Sequence, residues 1–159
     1  LLETVLVLIK KKIDIKLLII GYGANKIKMK NFIMQNKISK NVKIINFQKN
    51  PYKFLKKSNL FILTSLYEGL PNVLLEAMVL KKFIISSNCP TGPGEILKNG
   101  KLGMLFKIKD KKDLSNKILN FNNNIKTNNK ITNHAYKSLS RFDYKSNCEE
   151  YFKTVKEFI

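Results

Sequence analysis

Short apolar runs alternate with longer segments of mixed polarity along most of the chain. Each run ends in a glycine, proline or polar turn, which predicts strands buried on both faces of a parallel sheet. The segments between the runs carry apolar residues at helical spacing or begin at proline or aspartate, as helices often do. The predicted strands cover residues 17–20, 42–46, 60–64, 83–86 and 103–106. The predicted helices cover residues 1–12, 25–36, 51–57, 71–80 and 110–121.

This alternation of strands and helices predicts an α/β fold: an open, mostly parallel, Rossmann-like sheet with helices on both faces. Ligands of such sheets bind beyond the carboxyl ends of the strands. The loops at Gly21, at Phe47, at residues 65–71 and at residues 87–94 fall there. The predicted domain organisation is the sheet domain at residues 1–121, a polar spacer at 122–130 and a C-terminal helix at 131–159.

The net positive charge of the chain bears on whether it binds nucleic acid or a membrane surface. The formal net charge of +19 would usually indicate nucleic-acid binding. Nearly all of this charge is lysine, with Arg141 as the single arginine, and the chain is also rich in Asn and Ile. These three abundant residues share A/T-rich codons, so a skewed genome explains the bias. We therefore predict no specific nucleic-acid partner, and we keep peripheral contact with an anionic membrane surface as an expectation.

Cysteine usage and apolar run length bear on the compartment. Cys89 and Cys148 lie far apart and match no zinc or redox spacing. No apolar run approaches the ~20 residues of a membrane helix. We expect a cytoplasmic protein, peripheral on the inner face of the membrane, with no metal ion and no cofactor beyond its substrates. The first residue, Leu1, falls inside a helical pattern, so we expect further sequence upstream.

The strongest candidate chemistry lies in residues 65–78. Glu76 belongs to a predicted helix that is apolar all round, which predicts burial. A buried carboxylate is costly unless it is hydrogen-bonded, and the hydroxyl pair of a ribose would do this. Glu68 lies just before the helix, and the backbone from Gly69 to Asn72 offers N–H groups that suit a phosphate. The structural alternative is that Glu68 caps the helix and Glu76 pairs with a lysine.

Glu68 and Glu76, with seven residues between them and Gly-Leu-Pro-Asn after the first, resemble the E-x7-E motif of the family 4 glycosyltransferases. Residues 18–23, 47–52 and 89–97 resemble other motifs of that family in the same order. The resemblance implies a GT-B fold, in which two Rossmann-like domains face each other across a cleft. This chain resembles the C-terminal, donor-binding domain, with its first strand and the N-terminal acceptor domain missing.

The resemblance also implies an activity. A hexosyltransferase of this kind moves a sugar from a nucleotide-sugar donor, with UDP expected, to a cell-surface glycan or lipid-linked acceptor with retention of anomeric configuration. Glu68 would be the catalytic residue at the donor sugar, and Glu76 would hold the ribose hydroxyls. The other substrate-binding residues that the resemblance implies are Gly69, Leu70, Pro71, Asn72, Phe47 and Gln48. The first three would bind sugar and diphosphate through backbone N–H groups, and the last two would contact the base.

Three positions depart from the family pattern. Gly94 stands where relatives carry Arg or Lys, while Lys81 and Phe83 replace the usual Gly and Pro. The second hypothesis is therefore a non-catalytic nucleotide-sugar-binding fragment, either a degenerate remnant or one chain of a split enzyme. We expect this chain alone to bind the donor weakly and to be inactive.

Overall fold

The computed structural model of the protein describes residues 1–158. Five strands alternate with helices, as the apolar pattern predicts. The strands are β1 (Leu17–Ile20), β2 (Val42–Ile45), β3 (Leu60–Leu63), β4 (Phe83–Ser87) and β5 (Met104–Phe106). The helices are α1 (Leu2–Lys10), α2 (Lys26–Gln35), α3 (Tyr52–Lys57), α4 (Asn72–Val79), α5 (Pro93–Ile96), α6 (Lys111–Asn123), α7 (Ile125–Lys137) and α8 (Tyr144–Lys156), with a 3₁₀ helix at Ser138–Phe142.

The strands form two hydrogen-bonded groups, and every pairing is parallel. In the first group β1 pairs with β2, and Leu17 lies opposite Val42. In the second group β4 is the central strand between β3 and β5. Ile85 of β4 lies opposite Ile62 of β3 and Met104 of β5. Within each group the carboxyl ends of the strands therefore lie along one edge, which is where the predicted ligand loops begin.

Helices cover both faces of the three-stranded group. On one face, Leu74 of α4 packs with Ile84 of β4 in a core that α5 and α7 complete. On the other face, Leu8 of α1 and Leu114 of α6 pack with Ile85. Successive β4 residues thus enter opposite cores, which explains its continuous apolar run. The predicted α/β fold with helices on both faces is confirmed.

The β1–β2 pair is covered on one face. Val5 of α1 and Ile33 of α2 pack there with Val42 of β2. The adjacent pair Leu18 and Lys43 points to the opposite face, and both side chains are exposed. Within residues 1–158, no buried apolar cluster lies on that face. α1 contributes to the cores of both groups and so connects them.

Helix ends follow local rules. The predicted cap of α6 is confirmed, because the Asp110 carboxylate accepts hydrogen bonds from the N–H groups of Lys112 and Asp113. α4 ends with Lys81 in the left-handed region at φ 50°. The Lys81 N–H donates to Met78, and the next N–H donates to Ala77, as in a Schellman motif. Glycine adopts this conformation most easily. This explains the glycine that the family resemblance implies here, and Lys81 adopts the same conformation in its place.

The C-terminal part differs from the expectation. The spacer predicted at residues 122–130 is mostly helical, because α6 continues to Asn123 and α7 begins at Ile125. The buried Asn128 side chain donates to the Phe121 carbonyl at 2.6 Å and holds these two helices together. The single helix predicted at residues 131–159 is also wrong, since Asp143 caps a separate helix, α8. Ile159 lies outside the described residues, and the division of the chain into domains stays a prediction.

Candidate functional site

The loops that follow β3 and β4 place the candidate residues together. The loop after β3 contains Glu68 and leads into α4, and the loop after β4 returns beside it into α5. A hydrogen bond of 2.5 Å from the Thr91 hydroxyl to the Glu68 carbonyl joins the two loops. The loop after β2, with Phe47 and Gln48, belongs to the other strand group.

The two glutamates are half-buried. Within residues 1–158, neither carboxylate has an ion pair within 4 Å or a side-chain hydrogen bond; the one ion pair there joins Lys111 to Glu3. The N-cap of α4 is Pro71, and no side chain caps the helix. The structural alternative, in which Glu68 caps α4 and Glu76 pairs with a lysine, is therefore wrong. Both carboxylates are free to accept hydrogen bonds from a ligand.

The N-terminus of α4 presents free donors. The backbone N–H groups of Gly69, Leu70 and Asn72 have no acceptor among the described residues. Such groups, together with the helix dipole, attract anions. Pro71 is a correction, because proline has no N–H and cannot be one of the predicted donors. Its carbonyl instead accepts the hydrogen bond from Leu74 that begins the helix.

α4 is not buried all round, so that expectation is wrong. Leu74 and its neighbours Ala77 and Met78 are buried in the core. The opposite face is open, and Val73 and Val79 on it are 40% and 56% exposed. Glu76 lies three residues from each of them, on the same open face of the helix. Its half-buried state reflects this position at the boundary between the core side and solvent.

Phe47 and Gln48 lie in an open loop after β2. The Phe47 ring is 64% exposed. The Gln48 side chain donates only to the carbonyls of Asn46 and Phe47 beside it. Nearby, a cleft of about 170 Å³ is lined by Gly21, Tyr22 and the start of α2. Neither the two glutamates nor Phe47 and Gln48 line that cleft.

The loop between β3 and α4, residues 64–71, is called the glutamate loop. The side chains that brace it were not predicted from the sequence. Ser87 and Cys89 both donate to the Ser65 carbonyl, at 2.7 Å and 3.3 Å. Thr91 and Gly92 approach the loop further along, beside Glu68 and Gly69. Residues 89–93 carried a signal only as part of the resemblance.

Two negative findings apply to the part of the chain that the structure describes. It has no cluster of three or more side chains suited to a metal ion, and no helix long and apolar enough to cross a bilayer.

The parallel α/β fold is that of the C-terminal half of a GT-B glycosyltransferase. Residues 1–138 match the family described as glycosyl transferases group 1, and the chain belongs to that family. The predicted family and fold are thereby confirmed.

Several longer glycosyltransferases are similar to this chain in sequence or in structure. An uncharacterised glycosyltransferase of Methanocaldococcus jannaschii is 49% identical over 82 residues, which are 52% of this chain and 20% of that protein. The poly(ribitol-phosphate) alpha-N-acetylglucosaminyltransferase of Staphylococcus aureus is 30% identical over 124 residues, 78% of this chain and 25% of that protein. The crystal structure of S. aureus TarM with fondaparinux, alpha-GlcNAc-glycerol and UDP has a TM-score of 0.87 at 25% identity, covering 96% of this chain and 31% of that one. The chain thus spans a third or less of each of these proteins.

Proposed function

We propose that this chain is the donor-binding half of a retaining glycosyltransferase that uses a UDP-sugar and builds a cell-surface glycan or a lipid-linked saccharide. The observation that carries the proposal is the pair of half-buried, unpartnered carboxylates, Glu68 and Glu76, on either side of the uncapped N-terminus of α4. The names of the relatives support it, since one acts on poly(ribitol-phosphate) and one structure contains UDP.

The site divides the donor into three parts. Glu76 accepts hydrogen bonds from the two ribose hydroxyls, a role that suits a carboxylate without an internal partner. The N–H groups of Gly69, Leu70 and Asn72 bind the diphosphate at the positive end of the helix dipole. Glu68 faces the sugar near its anomeric carbon. Phe47 and Gln48 contact the base from the loop after β2.

The reaction breaks the bond between the anomeric carbon and the diphosphate oxygen. The acceptor oxygen forms the new bond on the same face, and its proton passes to the departing diphosphate oxygen. Negative charge then grows on the UDP leaving group, where the free N–H groups of α4 stabilise it. Positive charge grows on the sugar ring, where the Glu68 carboxylate stabilises it. These steps require an acceptor site, which we assign to an N-terminal partner domain.

The second candidate is a nucleotide-sugar-binding fragment without turnover. Gly94 favours it, because the family resemblance implies a basic residue at this position. In either case we place the protein in the cytoplasm, with its many lysines attracting it to the anionic inner face of the membrane.

The test is calorimetric titration of the chain with UDP, GDP and UDP-GlcNAc. The variants are Glu76→Ala and, as a matched control, Glu149→Ala on the exposed surface of α8. We expect saturable UDP binding that Glu76→Ala weakens at least tenfold, as the loss of hydrogen bonds to a charged acceptor predicts, and that the control keeps.

Two results would contradict the proposal. One is equal UDP affinity in the Glu76→Ala variant and the original chain. The other is the absence of binding in a chain that circular dichroism shows to be folded. Turnover of UDP-GlcNAc with an added acceptor, once an N-terminal partner domain is supplied as well, would separate the enzyme from the non-catalytic fragment.

A further inference from the structure

The loop after β4 holds the glutamate loop by side-chain hydrogen bonds at two points. Ser87 and Cys89 donate to the Ser65 carbonyl near the start of the glutamate loop. Thr91 donates to the carbonyl of Glu68 itself at 2.5 Å. The backbone from Leu66 to Gly69, which includes the second of these points, belongs to no helix or strand. The Thr91 bond is therefore the side-chain tether nearest to the candidate catalytic carboxylate.

Gly92 makes a second close contact beside this bond. Its φ is +84°, which side-chain-bearing residues rarely adopt. A Cβ atom at this position would lie 1.9 Å from the Gly69 carbonyl oxygen and 2.6 Å from the Pro71 ring. The backbone at Gly92 therefore packs directly against the backbone that follows Glu68, and only a glycine permits this approach.

These contacts bear on the direction of the Glu68 side chain. Within residues 1–158 that carboxylate has no hydrogen-bond partner of its own. Its backbone is therefore its only anchor there, and that backbone is held by the bond from Thr91 and by the close contact of Gly92 with Gly69. A carboxylate that must face an anomeric carbon needs this kind of support, because small displacements weaken contacts to a reacting centre.

We infer that Thr91 and Gly92 are positioning residues that aim Glu68 at the donor sugar. Thr91 acts through the Glu68 carbonyl, and Gly92 acts by allowing the two loops to meet. The inference rests on the proposed donor-binding function for its ligand measurements. Thr91 is exposed, so its hydrogen bond contributes to the geometry of the loop more than to the stability of the fold.

The test has one arm without ligand. The backbone ¹⁵N order parameters of Glu68 and Gly69 are measured in the original chain and in the variants Thr91→Val, Thr91→Ser and Thr127→Val. Thr127 is an exposed threonine on α7 and serves as the matched control. In Thr91→Val we expect the order parameters to fall from about 0.85, typical of a rigid backbone, to below about 0.6, with the values restored in Thr91→Ser and unchanged in the control.

The second arm compares the dissociation constants of UDP and UDP-GlcNAc. In Thr91→Val we expect the affinity for UDP-GlcNAc to fall about fivefold more than the affinity for UDP. Some loss of UDP affinity is expected as well, because Gly69 and Leu70 follow the tethered residue. Thr91→Ser should restore both affinities. An unchanged ratio of the two affinities would overturn the inference, as would a changed ratio with unaltered order parameters, which indicates direct contact with the sugar.

Failure of the proposed function has a different signature. In that case the original chain binds neither ligand, and the positioning inference is decided by the order parameters alone. Unchanged order parameters of Glu68 and Gly69 in Thr91→Val would then overturn it.

Discussion

The three-stranded group and the β1–β2 pair are built from similar apolar strands, yet they differ in burial. All five residues of β4 are buried, whereas Val42 is the only buried residue of β1 and β2. The cause is the number of helices around each group, since β4 lies between two cores and the β1–β2 pair has a core on one face. An apolar strand sequence therefore indicates the capacity for burial, and the neighbouring elements decide whether it is used.

The same difference extends to the candidate ligand loops. Side chains from a neighbouring loop hold the glutamate loop at Ser65 and Glu68. In the loop with Phe47 and Gln48, Lys26 of α2 donates to the side chain of Asn46, and the other side-chain hydrogen bonds lie within the loop or to its flanking residues. Within residues 1–158, no side chain from another element holds Phe47 or Gln48 themselves. We therefore expect the diphosphate and ribose contacts to be formed before the ligand arrives, and the base contact to form as it binds.

The largest expected difference between the two groups concerns deletion of core methyl groups. Ile85→Ala should lower the free energy of unfolding by about 3 kcal/mol, because Ile85 is fully buried. Ile45→Ala in β2 should cost about 1 kcal/mol, since this side chain is half-buried. Urea denaturation measures both. Equal losses would show that the β1–β2 pair is as well packed as β4.

Two glycines give the next comparison. Gly92→Ala should destabilise the chain by about 2–3 kcal/mol, because of its φ of +84° and the clash with Gly69. Gly23→Ala, beyond β1, should change stability by less than ~0.5 kcal/mol, since its added Cβ meets no atom within 4 Å. Thermal unfolding of both variants is the measurement, and a stable Gly92→Ala variant would contradict the close contact between the loops.

Helix caps extend the comparison at smaller scale. Asp110→Ala should cost about 1 kcal/mol, because the carboxylate binds two backbone N–H groups at the start of α6. Asn25→Ala at the start of α2 should have almost no effect, since that side chain makes no capping hydrogen bond. Chemical denaturation of the pair checks this, and a larger loss in the Asn25 variant would reverse the expected order.

The smallest effect is expected in α8, a helix with no buried residue. The pKa of Asp143 is lowered from its ordinary value of 3.8 by hydrogen bonds from the backbone N–H and the hydroxyl of Ser146. A lowered folded-state pKa means that the cap stabilises fully above pH 3.8 and is lost as the pH falls through the lower folded value. The Ser146 amide donates to this carboxylate, so its protection against exchange, measured relative to the intrinsic rate at each pH, should be lost in that acid range. Asp143→Asn should make this protection independent of pH there. A protection that still falls with pH in the variant would show that another group is responsible.

Much of the fold and part of the site could be predicted from local sequence. Continuous apolar runs such as residues 17–20 and 83–86 predict the strands, and Asp110 predicts its own helix start. Glu68 and Glu76 could be selected because carboxylates beside or within apolar segments need partners. Even the error at Pro71 could have been avoided, because the missing N–H follows from the residue type.

The remainder depends on contacts between distant residues. The hydrogen bond from Thr91 to Glu68 and the close contact of Gly92 with Gly69 join two loops that are far apart in the sequence. No local sequence pattern predicts such a contact. The open face of α4 depends on which helices lie nearby, so its apolar sequence alone predicted too much burial. From the sequence alone, Asn128 is predicted to belong to a polar spacer. Its hydrogen bond to the Phe121 carbonyl shows instead that two helices pack together there.

In the proposed function, the glutamate loop and the N-terminus of α4 hold the diphosphate of the donor. A titration of the isotopically labelled chain with UDP, followed by the backbone amide resonances, tests this contact. We expect the resonances of Gly69, Leu70 and Asn72 to shift saturably and with one common dissociation constant, with smaller shifts at Phe47 and Gln48. Shifts confined to lysine-rich surfaces elsewhere, with these three amides unmoved, would contradict it.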